Sequence, residues 1–189
     1  MIATLNHEYG ACTRLYTVYY FQPQIVQIVC MCVHLYNNVQ TLPRNMQSTL
    51  IWGTANPQGV PDEDGIFLNA KDINDMIKQI NVNCAQGTPI PVHIEHKGKA
   101  VGKVISAWEH SGKLECVLQI DENVFEGALG SQFVRSGICR DLSMGYMASL
   151  ENSEKGMRVS SKHLKEISLV KKGARHNCHI HGVTQSKKA

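Results

Sequence analysis

The segment RDLSMGYMASL, residues 140–150, places Leu142, Met144, Tyr146, Ala148 and Leu150 in alternation. A strand of this pattern turns those side chains to a core and Ser143 to the other face, beside the flexible Gly145. The hydroxyl of Ser143 is therefore presentable. The turn NSEKG, 152–156, leads into a second strand, and opposed positions of an antiparallel hairpin keep a constant index sum. Centred on Glu154 and Lys155 the sum is about 309, which sets Ser143 across from Glu166, give or take a slip of several residues. A hydroxyl becomes a nucleophile only when a base takes its proton, and a carboxylate alone is a poor base at neutral pH. An imidazole has to lie between them. Of the nine histidines the strongest candidate is His96 in PVHIEHKGKAVGKV. It ends an extended segment in which Ile90, Val92 and Ile94 alternate, and a Gly-containing turn leads back into 101–104.

These groups need a scaffold. Asn69 can cap a helix over 70–81, where Ile73, Met76, Ile77 and Ile80 form one apolar stripe. A second helix is expected at about 123–136, preceded by Asp121, closed by Gly137 and striped by Val124, Phe125, Ala128, Leu129 and Phe133. Strand-like alternation marks 90–96, 101–108, 114–120, 142–150, 157–161 and 167–170, separated by turn material such as HSGK at 110–113. The expected fold class is α+β, a small, mainly antiparallel β-barrel with packed helices.

The 189 residues allow one compact domain, and 43% hydrophobic against 19% charged residues exclude a disordered chain. The compact serine-bearing domain is placed at 47–184, with a tail at 185–189. Residues 1–46 read differently, with Glu8 as their acid and aromatics clustered at 16–21, and are expected to be an extension; translation starting at Met46 would make them an artefact. The 155–189 stretch carries nine basic residues against Glu166, while 61–75 is acid-rich. Solvated faces explain such lopsidedness more simply than a nucleic-acid partner does. Seven cysteines, an odd and scattered set, indicate neither a disulfide framework nor a zinc ribbon. The greasiest stretch, 25–36, falls short of the roughly 20 residues a membrane span needs.

The segments HIEHKGKAVGKV, CRDLSMGY and LKEISLVKKGAR resemble, in order, the three blocks of the viral capsid maturation (prohead) serine proteases, a family shared by tailed bacteriophages and herpesviruses. The likeness spans about residues 48–183. In that family a His precedes a G-x-V strand, matched by His96 with Gly102 and Val104, and the nucleophile lies in an L-S block, matched by Ser143. Herpesvirus members place a second His before the third strand and a G-R-R turn after it; the phage branch places an acid there. The resemblance therefore implies a Ser143–His96–Glu166 triad on a herpesvirus-protease-like fold, with His163 as the runner-up third member. It also implies oxyanion donors at the Ala174 and Arg175 amides, although Ala174 stands where the herpesvirus turn has its first Arg. Arg175 would hold an ordered water near the oxyanion. The implied activity is cleavage of scaffold and major capsid proteins, and of the chain itself, during capsid maturation. No cofactor is implied, a homodimer is, and the place of action is the procapsid interior, in the host nucleus if herpesvirus-like or the cytoplasm if phage-like. Ala189 would then be a product end, since herpesvirus-branch enzymes cut after Ala.

Rival readings differ in kind. The cluster RHNCHIH (His176, Cys178, His179, His181) has zinc-ligand types, but alternation splits Cys178 from His179 and His181, and no second ligand pair is spaced to join them, so no metal is expected. A catalytically inactive scaffold or capsid-lining protein is the alternative function. A small-ester hydrolase is disfavoured because no GxSxG elbow surrounds Ser143.

Overall fold

Alternation and capping are realised as nine elements in a computed structural model that describes residues 48–63, 65–153 and 156–184, all within the unit Pro43–Ala189. The expected 1–46 extension and 185–189 tail lie outside the described residues. In chain order the elements are β1 Ser48–Pro57, α1 Ala70–Ala85, β2 Pro91–Ile94, β3 Lys97–His110, β4 Lys113–Asp121, α2 Phe125–Arg135, β5 Asp141–Ser153, β6 Gly156–Val170 and β7 Ile180–Val183. The α+β class is as the sequence predicts.

The sheet is not the expected closed barrel. Its order is β5-β6-β2-β3-β4-β1-β7, antiparallel throughout except for the parallel pair β2–β6. The two edges meet at one end, where Asp141 and His179 form an isolated bridge and the Leu142 N–H donates to the Cys178 carbonyl at 2.8 Å. Closure stops there because β7 has 4 residues and cannot run along the 13 of β5.

Helix α1 starts on a reciprocal capping box. Asn69 Oδ1 accepts from Asp72 N–H, and Asp72 Oδ2 accepts from Asn69 N–H, both at 3.0 Å. Its expected stripe is the buried face: Ile73, Met76 and Ile80 are fully enclosed and Ile77 packs on the core. Each such side chain contributes about 1.5–3 kcal/mol by leaving water. The predicted stripe of α2 is corrected. Its buried residues are Gly127, Gly130, Ser131 and Val134, while Val124 and Phe125 are exposed. Small residues face the sheet because the helix lies close to it: a Cβ on Gly130 would stand 3.2 Å from Ile94 Cδ1, and one on Gly127 would strike the Asp121 carbonyl. Predicted strands 157–161 and 167–170 are one strand, β6, and β7 joins an edge that alternation alone did not assign.

Part of the charge asymmetry is met within the fold. Lys162 pairs with Asp72 (2.9 Å), Lys172 with Glu63 (3.3 Å) and Arg175 with Asp62 (2.8 Å), joining the basic stretch to the acid-rich one. Among the described residues no helix is long and apolar enough to cross a membrane.

Candidate active site

The β5–β6 hairpin sets the site. Near its turn the register is the one the index sum predicts, Ser153 opposite Gly156. Two irregularities, between Ser149 and Leu150 and between Gly145 and Tyr146, then slip the pairing by two residues. Ser143 consequently faces Ser168 rather than Glu166, and Glu166 faces Gly145. A slip of two preserves the face, so Ser143, Ser168 and Glu166 remain on the same side of the hairpin.

His96 stands two positions past the end of β2, the strand expected to end on it. Ile94 pairs with Lys97, leaving Glu95 and His96 as a two-residue turn with φ of 50° and 58°. Two positive φ values are the type I′ turn that suits a hairpin's twist, a place usually held by Asn-Gly. A non-glycine residue there costs about 1–2 kcal/mol, so the surroundings must hold it. Strand β6 does so. Glu95 N–H donates to the Leu169 carbonyl (3.0 Å), His96 N–H to Ser168 Oγ (3.1 Å), and Lys171 N–H to Glu95 Oε1 (2.9 Å).

Held in this way, the His96 imidazole meets Glu166: Nδ1 lies 2.5 Å from Oε1. Ser168 Oγ donates to the other carboxylate oxygen, Oε2, at 2.6 Å. Ser168 thus fixes both members of the pair, accepting from the backbone of one and donating to the side chain of the other. Sequence reasoning missed it, although its position two residues after Glu166 in an alternating strand was a signal that it shares that face. Ser143 is buried, 5% exposed, and lies across from Ser168 without a hydrogen bond to His96 among the described residues. Directly opposed Cβ atoms stand about 5 Å apart, which keeps the hydroxyl in the neighbourhood of the pair.

His163 is placed elsewhere: its Nε2 meets Gln79 Nε2 of α1 at 3.2 Å. Gln79 also closes two bonds with the Leu164 backbone, at 2.7 and 2.9 Å, so His163 belongs to the α1–β6 contact. Gly173 leads the turn that follows β6 and abuts β5, since a Cβ there would stand 3.0 Å from the Leu142 carbonyl oxygen. Next along, the Ala174 N–H has no partner among the described residues. Burial pushes the nearby Cys178 thiol up to about 11, against the pull of Arg175. The Arg175 guanidinium is buried and ties down the loop before α1: it donates to the Val60 carbonyl (3.2 Å), Asp62 Oδ2 (2.8 Å), the Ile66 carbonyl (3.0 Å) and the Tyr146 hydroxyl (3.2 Å).

The histidine-rich C-terminal segment is dispersed. His179 Nδ1 meets Asp141 Oδ1 at 2.7 Å, His181 Nε2 meets Thr54 Oγ1 at 2.9 Å and Glu115 Oε2 at 3.3 Å, and the Cys178 thiol turns inward to the Ala55 carbonyl. No group of three ligand-type side chains among the described residues is arranged to hold a metal.

The chain matches no family model and no curated protein sequence. Among solved structures it is similar to the Kaposi's sarcoma-associated herpesvirus protease in complex with a hexapeptide phosphonate inhibitor, with a TM-score of 0.49 and 16% identity over 75% of this chain and 66% of that one. The same viral protease with an allosteric inhibitor gives a TM-score of 0.46 and 16% identity over 74% and 78% of the two chains. With a dimer disruptor the values are 0.46 and 15% over 74% and 76%. Identity at this level transfers no residue's role; the site rests on the contacts that β2, β5 and β6 bring together.

Proposed function

We propose that the chain is a serine endopeptidase that cleaves scaffold and major capsid proteins, and itself, inside a maturing viral procapsid. The observation that carries this reading is the 2.5 Å contact of His96 Nδ1 with Glu166 Oε1, on the hairpin face that also presents Ser143. Glu166 orients the ring and stabilises the imidazolium, which leaves Nε2 as the nitrogen that takes a proton. His96 accepts the Ser143 proton as Oγ attacks the scissile carbonyl carbon, whose electron pair moves to oxygen. The Ala174 and Arg175 N–H groups, in the turn that abuts Leu142, are the donors for that oxyanion. Each such donor is typically worth about 3 kcal/mol. Collapse breaks the C–N bond, His96 gives its proton to the departing amine, and water repeats the sequence on the acyl-enzyme to restore Ser143.

The test is coexpression with the cognate scaffold and capsid proteins, together with labelling of the purified chain by a fluorophosphonate. Cleavage and labelling that vanish in Ser143→Ala and His96→Ala support the peptidase. Folded, concentrated protein that neither cleaves nor labels leaves the inactive scaffold or lining protein as the function. Labelling that falls on dilution marks a homodimer as the active form.

A further inference from the structure

We propose that Asp141 is a positioning residue that clamps the oxyanion turn to the nucleophile's strand, an inference that rests on the peptidase reading above. Asp141, Ser143 and Gly145 alternate along β5 and so share a face. At one end of this row Gly145 opposes Glu166, the acid behind His96. At the other end both oxygens of Asp141 are engaged. Oδ2 accepts from Gly173 N–H at 2.9 Å, and Oδ1 meets His179 Nδ1 at 2.7 Å. Ser143 is thereby flanked by the base on one side and by a carboxylate-anchored turn on the other.

The anchoring follows from burial. Asp141 is 9% exposed, and a carboxylate removed from water must be met by donors or it destabilises the fold. Its two donors come from the turn and from the segment that follows it. Meeting the carboxylate's demand therefore fixes Gly173, and Gly173 fixes the direction of the next amide, that of Ala174. The turn has little slack, because a Cβ on Gly173 would stand 3.0 Å from both the Leu142 carbonyl oxygen and Cys178 Cβ. His179 acquires a role with no metal in it: its Nδ1–H satisfies the second oxygen of the clamp.

Saturation kinetics of fluorophosphonate labelling separate this from mere stability. In that reaction Ser143 Oγ bonds to phosphorus, the P–F bond breaks, fluoride leaves, the serine proton passes through His96 to solvent, and the phosphoryl oxygen carries the charge the turn must meet. Asp141→Ala is expected to lower the limiting labelling rate about 10²-fold, the scale of one lost oxyanion donor, while half-saturation stays within twofold. Asp141→Asn, whose Oδ1 can still accept from Gly173, is expected to recover to within tenfold of the natural protein. Should the Ala variant not fold, Asp141→Ser carries the same expectation, its hydroxyl being too short to span both donors. A folded Ala or Ser variant that labels within twofold of the natural protein overturns the clamp and leaves the triad standing. A natural protein that does not label overturns the peptidase reading, and the clamp with it.

Discussion

Gly145→Ala probes the acid–base pair without touching either member. Glu166 lies over Gly145, so that a Cβ there would strike Oε1 and stand 3.0 Å from Cδ and 3.1 Å from Cγ. Carbon atoms settle at about 3.5–4.0 Å, so the carboxyl must retreat by roughly 0.5–1 Å. The 2.5 Å contact with His96 does not survive that retreat. A misplacement of about 1 Å typically costs on the order of 10²-fold, about 2.7 kcal/mol, well inside the roughly 10⁴-fold seen when the orienting acid of a triad is spoiled. Because Gly145 is not among the glycines with positive φ, alanine strains no backbone here and stiffens the unfolded chain. The melting temperature should therefore change little while the fluorophosphonate labelling rate of Ser143 falls about 10²-fold. In a Glu166→Ala background, where the obstructed carboxylate is gone, Gly145→Ala should cost nothing further. Equal losses in both backgrounds, or a single variant labelling within twofold of the natural protein, would refute the geometry.

Further expectations concern the neighbours. Ser168→Ala, which frees both Glu166 Oε2 and the His96 N–H, should slow labelling about tenfold and cost about 1–3 kcal/mol in urea unfolding, with Ser168→Thr restoring most of the rate. Glu166→Gln should cost up to about 10⁴-fold in labelling, whereas His163→Ala, which loses only the Gln79 contact, should label like the natural chain. Burial works against the ionised forms of Glu115 and Glu122, yet His181 and Thr54 hold the first, and Thr49 and Arg135 the second, below the ordinary glutamate range. The folded state then binds fewer protons than the unfolded one. Their contribution is full above the unfolded value of about 4.3 and is lost as pH falls through the lower folded values. Melting temperature should drop across that acid window, and Glu115→Gln should flatten the drop; a profile unchanged by the substitution would remove Glu115 from the account.

Local rules carried much of this design. The stripe on α1, its Asn69 cap and the face of β5 that carries Ser143 follow from periods of 3.6 and 2 that a short window reveals; the expected presentation of its hydroxyl does not hold, because both faces of that end of β5 are covered and Ser143 is buried. The index sum held near the β5–β6 turn and failed by two residues beyond it, because bulges depend on twist and packing that no window displays. Parity rescued the conclusion: a slip of two leaves Ser143 and Glu166 on one face, where a slip of one would have parted them. For α2 the large apolar residues suggested a stripe, but close approach to the sheet selected glycines, a tertiary demand that overrode hydrophobic size. Ser168 escaped notice because its importance lies in contacts made with residue 96, 72 positions away. The open seam between β5 and β7 depended likewise on strand lengths set by the whole sheet.

His96 and Glu166 are joined by the one parallel pair among the described residues, β2 on β6, and their contact spans 70 residues of sequence. Closing so long a loop comes late, after the local hairpins have formed, since its entropy must be met before any contact rewards it. On the peptidase reading proposed above, a site wired in this manner would be complete only once β2 docks on β6, so the connectivity of the sheet would delay cutting until the fold is finished.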